Sequence, residues 1–274
     1  MPELPEVETI KRTLEPLLVG RSIGRLLILR ADVIKHPQAE DFARLLNGRK
    51  IAGLGRRGKY LLIDVAGGYQ LVVHLRMTGR LVCCSPQEER AKHTHVIFPL
   101  DDGKELRFTD VRRFGCLWLL APEEVDNFTG MAKLGPEPLS PAFDAAYLGQ
   151  VLAKRKSSIK QALLDQHLLA GLGNIYVDEA LFIASITPLR PANQLSQKEL
   201  KSLAAAIVQV LEQGIENNGT TFSDYVDGRG NKGANLGHLW AYGRAGQACR
   251  RCGQILMRQK VAGRSTVFCP CCQK

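Results

Sequence analysis

The chain has 274 residues, of which 45% are hydrophobic and 23% charged, a globular composition with room for two domains. No apolar run reaches the length of a membrane-spanning helix. The first residues are acidic where a secretory leader would be basic and then apolar, so a cytoplasmic location is expected. The net charge of +10 is unevenly spread: Gly228 to Lys274 carries nine bases and no acid, whereas the first 227 residues carry 28 bases against 27 acids. A basic segment on a near-neutral body is the footprint of a polyanion-binding surface.

The chain opens Met-Pro-Glu-Leu-Pro-Glu-Val-Glu. Removal of Met1 would leave Pro2 with a free secondary amine beside Glu3 and Glu6. Such an amine attacks an aldehyde-type carbon and gives an iminium, an electron sink that activates the neighbouring C–H bonds. Carboxylates next to it can move the protons. Val7, Ile10, Leu14, Leu17 and Leu18 fall on one face, which predicts a helix from Pro5 to Leu18 that ends at Gly20.

Residues 22 to 120 read as strands: Ser22–Leu29, Lys50–Leu54, Tyr60–Val65, Tyr69–Leu75, Gly79–Cys84, His95–Leu100, Glu105–Thr109 and Gly115–Leu120. Gly67-Gly68 and Asp101-Asp102-Gly103 are hairpin turns among them. Many short strands with turn signals predict a β-sandwich or barrel. The proline-rich stretch Leu134–Ser140 is the expected linker. Helices follow at about 141–153, 158–166, 174–184 and 196–216, the last opened by a Ser196/Glu199 capping box. Residues 217–237, rich in Gly, Asn and Asp, read as a long mobile loop of functional type. The division is thus a catalytic domain at 1–133, a linker at 134–140, a helical domain at 141–237 including the loop 217–237, and a terminal module at 238–274.

Five of the eight cysteines lie in the last 26 residues. Cys249 and Cys252 form one C-x-x-C and Cys269 and Cys272 another, the spacing of a four-thiolate structural zinc site with no open position for catalysis. A disulfide reading is disfavoured in the cytoplasm. Cys271 lies inside the second pair, where the C-x-x-C symmetry favours Cys272 as ligand. Cys83, Cys84 and Cys116 fall in apolar strands and read as core thiols. Arg258, Lys260 and Arg264 lie between the pairs and would face phosphates.

MPELPEVET at the start, HLRMTG (74–79), TDVRRFG (109–115), LGPEPL (134–139), AGLGNIYVDEAL (170–181) and the terminal four-cysteine finger occur in this order. Together they resemble the bacterial formamidopyrimidine-DNA glycosylase (Fpg, or MutM) family along essentially the whole chain. The resemblance implies an α+β fold: an N-terminal β-sandwich flanked by helices, then a helix–two-turns–helix module with a β-hairpin zinc finger. It implies base-excision repair of oxidised purines, 8-oxoguanine and formamidopyrimidines, in double-stranded DNA, with strand cleavage at abasic sites, one structural Zn2+ and a monomeric enzyme.

Carried over residue by residue, the resemblance makes Pro2 the Schiff-base nucleophile, Glu3 its acid, Glu6 a support, and Lys59 and Arg264 further catalytic groups. A glycosylase must flip its target nucleotide out of the stack. Met77, Arg112 and Phe114 match the family's void-filling trio, with Arg112 also meeting the opposite base. DNA contacts are implied for His74, His93, Arg155, Lys160, Asn174 and Arg258, and the loop 217–237 would cap the flipped purine. Asn174 also opens a predicted helix after Gly171-Leu172-Gly173, a sound anion site in its own right. Two alternatives remain open at this level: an endonuclease VIII-like activity on oxidised pyrimidines, and a non-catalytic zinc-finger DNA-binding protein.

Overall fold

The computed structural model describes all 274 residues, which divide into two compact units. The first comprises Met1–Ala132 with Asn217–Leu236; the second comprises Lys133–Glu216 with Gly237–Lys274.

The first unit opens with helix α1 (Leu4–Leu18), whose Leu4, Val7, Ile10, Leu14 and Leu18 are each no more than 1% exposed. Full burial of such side chains stabilises by about 1.5–3 kcal/mol apiece. Strands β1 (Leu27–Ile28) and β2 (Ile34–His36) and helix α2 (Ala39–Leu46) follow. Next come β3 (Ile51–Arg57), β4 (Tyr60–Val65), β5 (Tyr69–His74), β6 (Gly79–Cys84), β7 (Thr94–Pro99), β8 (Glu105–Asp110) and β9 (Cys116–Leu120). The short helices α3 (Pro122–Val125) and α4 (Thr129–Ala132) close this stretch. One sheet runs β2-β9-β5-β4-β3 and the other β1-β7-β8-β6, antiparallel except where β2 lies parallel to β9. Leu61, Ile63 and Leu71 of the first sheet and Leu81, Val96, Phe98 and Phe108 of the second share one core, closed by α1 and by Phe42 and Leu46 of α2.

Several expectations need correction here. The strand predicted over Ser22–Leu29 is two isolated bridges at Ser22 and Ile23 and the two-residue β1. Helix α2 and strand β2 fall where no element was expected. Residues 217–237, assigned to the helical domain as a mobile loop, belong up to Leu236 with the sheets and are tied to α1. Thr220 N–H donates to Glu6 Oε1 at 2.8 Å, Gly228 N–H donates to Thr13 Oγ1 at 2.9 Å, and Thr220 pairs with Ala234. Tyr225 is buried there, its hydroxyl donating to Asn218 O at 3.0 Å. The polar composition that suggested mobility is used up in internal hydrogen bonds.

The second unit holds α5 (Ala145–Leu152), α6 (Ile159–Leu163), α7 (Asn174–Ile183), α8 (Gln197–Glu216) and the hairpin β10 (Met257–Val261)–β11 (Arg264–Phe268). The stretch expected as the linker, residues 134–140, packs within this unit: Gly135 N–H donates to Gln166 O and Ala170 N–H to Pro136 O. A Cβ at residue 135 would meet the Leu168 carbonyl at 2.5 Å, so only glycine fits this approach. Helix α7 is buried from Ile175 to Phe182. Its Phe182 joins Ala241, Cys249, Leu256, Val267 and Cys269 in a small core that supplies the finger with the apolar packing it is too short to build alone.

Candidate active site and nucleic-acid interface

Pro2 and Glu3 immediately precede α1, and both are buried. Glu6, in the first turn of the helix, is claimed from two directions: Oε2 accepts the Glu3 N–H at 2.8 Å and Oε1 accepts the Thr220 N–H. It therefore fixes the chain at Glu3 and the loop 217–236 at once, a supporting role. Glu8 lies between Arg12 and Arg56, and Arg56 donates to Glu8 Oε2 at 2.9 Å and to Gly58 O at 3.1 Å. Burial works against the Glu8 charge, yet the two guanidiniums hold its carboxyl below the ordinary range. This chain of bonds links α1, just behind Pro2 and Glu3, to the β3–β4 turn. That turn is Gly58-Lys59, with Gly58 at φ +57°, a position that glycine takes without a steric penalty. Lys59 is thereby held buried, at 7% exposure.

His74, at the end of β5, is also buried, with its ring edge-on to Tyr60 at 4.6 Å. Its Nδ1 accepts the Arg76 N–H at 3.1 Å. Burial, and then the charges of Arg76 and Lys59, push the imidazole down to about 3. The neutral ring carries its proton on Nε2, so it can offer a phosphate a neutral N–H rather than a cation. His93 is half-buried just before β7.

The three apolar or basic side chains expected to fill a vacated stack stand on two turns. Met77 is 37% exposed after β5, and Phe114 is 51% exposed after β8. Arg112 is exposed, its guanidinium 4.8 Å from the Phe114 ring centre. Arg76 and Arg113, which flank Met77 and Phe114, have φ of +53° and +59°, a left-handed conformation that L residues seldom adopt. Asp110 holds both turns. It is fully buried; Oδ1 accepts the Thr78 hydroxyl and the Arg112 N–H, and Oδ2 accepts the Gly115 N–H at 2.7 Å.

In the second unit Asn174 is the first residue of α7, and its side-chain amide donates to Ser265 O at 2.9 Å. Arg155 is exposed beside Asp165. Lys160, expected among the DNA contacts, is corrected: its side chain has no exposed surface and is spent on Asp178 Oδ1 at 2.6 Å and Ser265 O at 3.1 Å. Burial pushes the Asp178 carboxyl up to about 7, against the pull of that ammonium. Arg258 and Arg264 are exposed on β10 and β11. The hairpin turns at Ala262-Gly263, with φ of +48° and +74°, so Ser265 lies in the strand and outside the turn.

The Sγ atoms of Cys249, Cys252, Cys269 and Cys272 all lie within 4.8 Å of one another. Cys249–Cys272 and Cys252–Cys269 are 4.0 and 3.5 Å apart, bracketing the about 3.8 Å edge of a tetrahedron with 2.3 Å Zn–S bonds. Backbone N–H groups of Arg251 and Cys272 approach the sulfurs of Cys249 and Cys269. The set fits one structural zinc. Cys271 is exposed and stands outside the cluster. Cys83 and Cys116 are buried as expected, whereas Cys84 is half-buried because alternate residues of β6 face outwards. Glu179, beside Asp178, accepts the N–H groups of Trp240, Ala241 and Tyr242 at 2.7–2.9 Å and so anchors the start of the finger.

Sequence reading missed Glu8, Arg56, Asp110, Asp178 and Glu179. A usable signal existed for the last two: adjacent acids inside the otherwise apolar NIYVDEALFI must be buried, and buried carboxylates need partners.

Residues 1–117 match the formamidopyrimidine-DNA glycosylase N-terminal domain, residues 134–226 the H2TH domain of the same glycosylase, and residues 246–274 the zinc finger found in FPG and IleRS. A formamidopyrimidine-DNA glycosylase of Moorella thermoacetica is 57% identical over 258 residues, 94% of each chain. One of Desulfitobacterium hafniense is 50% identical over the full length of both chains. Among solved structures, a Lactococcus lactis FPG variant with DNA containing Fapy-dG aligns over all of both chains with a TM-score of 0.94 at 37% identity. The Lactococcus lactis Fpg with abasic-site DNA aligns over 99% of each chain, again at 0.94 and 37%. With its sheets, its helical module and its four-cysteine finger in matching order, the chain belongs to the formamidopyrimidine-DNA glycosylase family.

Proposed function

We propose that this chain is a monomeric, cytoplasmic base-excision repair enzyme, found on the nucleoid when bound to DNA. It removes oxidised purines from duplex DNA and then cuts the strand at the abasic site. The supporting observation is the buried Pro2-Glu3 start, bonded through Glu8, Arg56 and Gly58 to the turn that carries Lys59. An amine, an acid and a lysine on one connected framework are what imine-forming glycosylase chemistry requires.

With Met1 removed, the neutral Pro2 amine attacks the sugar C1′. The C1′–N bond breaks and its electron pair leaves with the base, which takes up a proton. The Pro2 nitrogen gives up its N–H proton, which supplies the departing base. Glu3 then donates a proton to the ring oxygen as the nitrogen lone pair forms the iminium with C1′, the C1′–O4′ bond breaks and the sugar opens. Loss of a C2′ proton then expels the 3′ phosphate. Loss of the C4′ proton and cleavage of C5′–O expel the 5′ phosphate. Lys59 and Arg264 hold phosphate or donate protons in these eliminations. Met77, Arg112 and Phe114 fill the gap left by the flipped nucleotide, with Arg112 facing the opposite base. His74 offers its Nε2–H to phosphate; His93, Arg155, Asn174 and Arg258 add further contacts, and the loop 217–236 covers the extruded base. Zinc, when bound, holds the finger together and takes no part in the chemistry.

Borohydride trapping on duplex containing 8-oxoguanine tests this directly. A covalent complex that disappears in Pro2→Gly is the expected result. Faster trapping on oxidised pyrimidine would move the assignment to the endonuclease VIII type, and no trapping on any lesion would leave only a DNA-binding protein. The oxidised-pyrimidine reading has an observation behind it, since a Lactococcus lactis FPG complex with oxidised-pyrimidine DNA aligns at a TM-score of 0.93.

A further inference from the structure

Arg264 opens β11, and three side chains from α6 and α7 grip the backbone just beyond it. Lys160 Nζ and Asn174 Nδ2 both donate to the Ser265 carbonyl, at 3.1 and 2.9 Å. Asp178 accepts from Lys160 Nζ with Oδ1, at 2.6 Å, and from the Val267 N–H with Oδ2, at 3.1 Å. Neither Lys160 nor Asp178 has exposed surface, so neither can reach a ligand itself. A buried ion pair is a poor way to gain stability, because desolvation offsets the attraction and apolar side chains often serve as well. What this pair supplies is direction. It fixes one carbonyl and one N–H, two residues apart, on the strand that carries Arg264. The hairpin turn sets the register of β10 on β11 but does not fix how β11 seats on α7.

We propose that Asp178 is a positioning residue for Arg264. It orients Lys160, which with Asn174 holds the Ser265 carbonyl, and it holds Val267 directly; together these bonds aim the Arg264 guanidinium at the phosphate that leaves last. The proposal rests on the reading of Arg264 as a phosphate-gripping residue of the eliminations. Without the carboxylate, Lys160 loses its ion-pair partner and the Val267 N–H loses its Asp178 acceptor, so the hold on β11 loosens at two points while Pro2 and Glu3, on other elements, are untouched.

The test uses the full-length, zinc-loaded protein on duplex with one abasic site. The ratio of δ- to β-elimination product is measured and normalised to the amount of borohydride-trapped complex, with zinc per chain determined in parallel. Arg264→Gln is the reference and should lower the ratio. Asp178→Asn, which keeps the shape but turns one acceptor into a donor, should lower it five- to tenfold at one zinc per chain. The double variant Lys160→Met/Asp178→Leu replaces the pair by apolar groups of similar size and, at one zinc per chain, should lower it as well. A role confined to stability would reduce trapped complex and zinc together and leave the ratio alone. A wild-type ratio in both clamp variants, with Arg264→Gln lowered, overturns the positioning role and spares the reading of Arg264. A wild-type ratio in Arg264→Gln overturns both.

Discussion

Replacing Asp110 separates two ways in which a buried carboxylate can hold the turns that carry Met77, Arg112 and Phe114. In Asp110→Ala the Gly115 N–H loses its 2.7 Å acceptor in a place with little room to rearrange. A Cβ at residue 115 would already meet the Phe108 ring at 2.7 Å. A buried donor left without a partner costs about 1–3 kcal/mol. The Arg112 N–H suffers less, because it also donates to Thr78 Oγ1 at 3.0 Å near the surface. The expected loss is about 2–4 kcal/mol. In Asp110→Asn the amide oxygen can keep Gly115, and the amide N–H can donate to the Thr78 hydroxyl, which accepts in place of donating. The expected loss is then about 1 kcal/mol or less. Urea midpoints for the two variants measure this, and excision of 8-oxoguanine opposite cytosine and opposite adenine shows whether the Arg112 turn has loosened. The alanine variant should discriminate less between the two opposite bases and the asparagine variant should keep its discrimination. An asparagine variant as unstable as the alanine one would mean that the charge holds the turns and the acceptor geometry does not.

Three other outcomes follow from the same structure. His74 has a folded pKa of about 3 against an ordinary 6.5, so the unfolded chain binds the extra proton between those values and stability is lost as pH falls through that window. Between pH 7.5 and pH 5 this group should remove about 2 kcal/mol. His74→Asn, with an acceptor left for the Arg76 N–H, should show a correspondingly flatter pH dependence of urea stability, and an unchanged dependence would refute the neutral, buried assignment. Ala262 stands at φ +48° in the finger turn, where asparagine is better suited; Ala262→Asn should stabilise the finger by about 0.5–1 kcal/mol and slow zinc loss to a chelator, and faster loss would contradict the turn assignment. Complete removal of zinc should abolish DNA binding, since four thiolates and a six-residue core hold the finger; full affinity in a chain verified as zinc-free would refute its structural role.

Much of the fold was legible because it is written in local pattern. Strand β4 and strand β6 have the predicted limits, since their alternating apolar residues stop before the Gly67-Gly68 turn in β4 and before Ser85-Pro86 in β6. Helix α8 begins at its capping box, with the Ser196 N–H donating to Glu199 Oε2 at 2.8 Å. The zinc ligands follow from spacing alone. What stayed hidden was tertiary. Helix α2 is short and is held by Phe42 packing on Phe98 of β7, a partner more than fifty residues away that no local pattern reveals. Lys160, which the resemblance placed among the DNA contacts, was misread for the same reason: nothing local shows that the fold sets Asp178 beside it and buries it.

The side chains expected to do chemistry share a design that sequence alone could not display. Lys59, Met77, Arg112 and Phe114 stand on turns, and Arg264 directly follows one. Turns hold their shape poorly unless their backbone groups are bonded from outside. Each here is held by a carboxylate that has no expected contact with substrate. Glu8, through Arg56, holds the Lys59 turn; Asp110 holds the Met77 and Arg112 turns; Asp178 holds the strand behind Arg264; Glu6 ties the loop 217–236 to Glu3. A carboxylate suits this work because its two oxygens can accept from two chain segments at once, and charge-assisted bonds are about twice as strong as neutral ones. Its burial is also costly, so it persists only where both oxygens are satisfied. Substitutions at these acids should therefore act locally, each on the turns that its carboxylate holds. Changing Asp110 should alter opposite-base choice and leave the δ-to-β product ratio alone, whereas changing Asp178 should do the reverse. Equal effects of both variants on both measurements would mean that the turns move as one body and are not set individually.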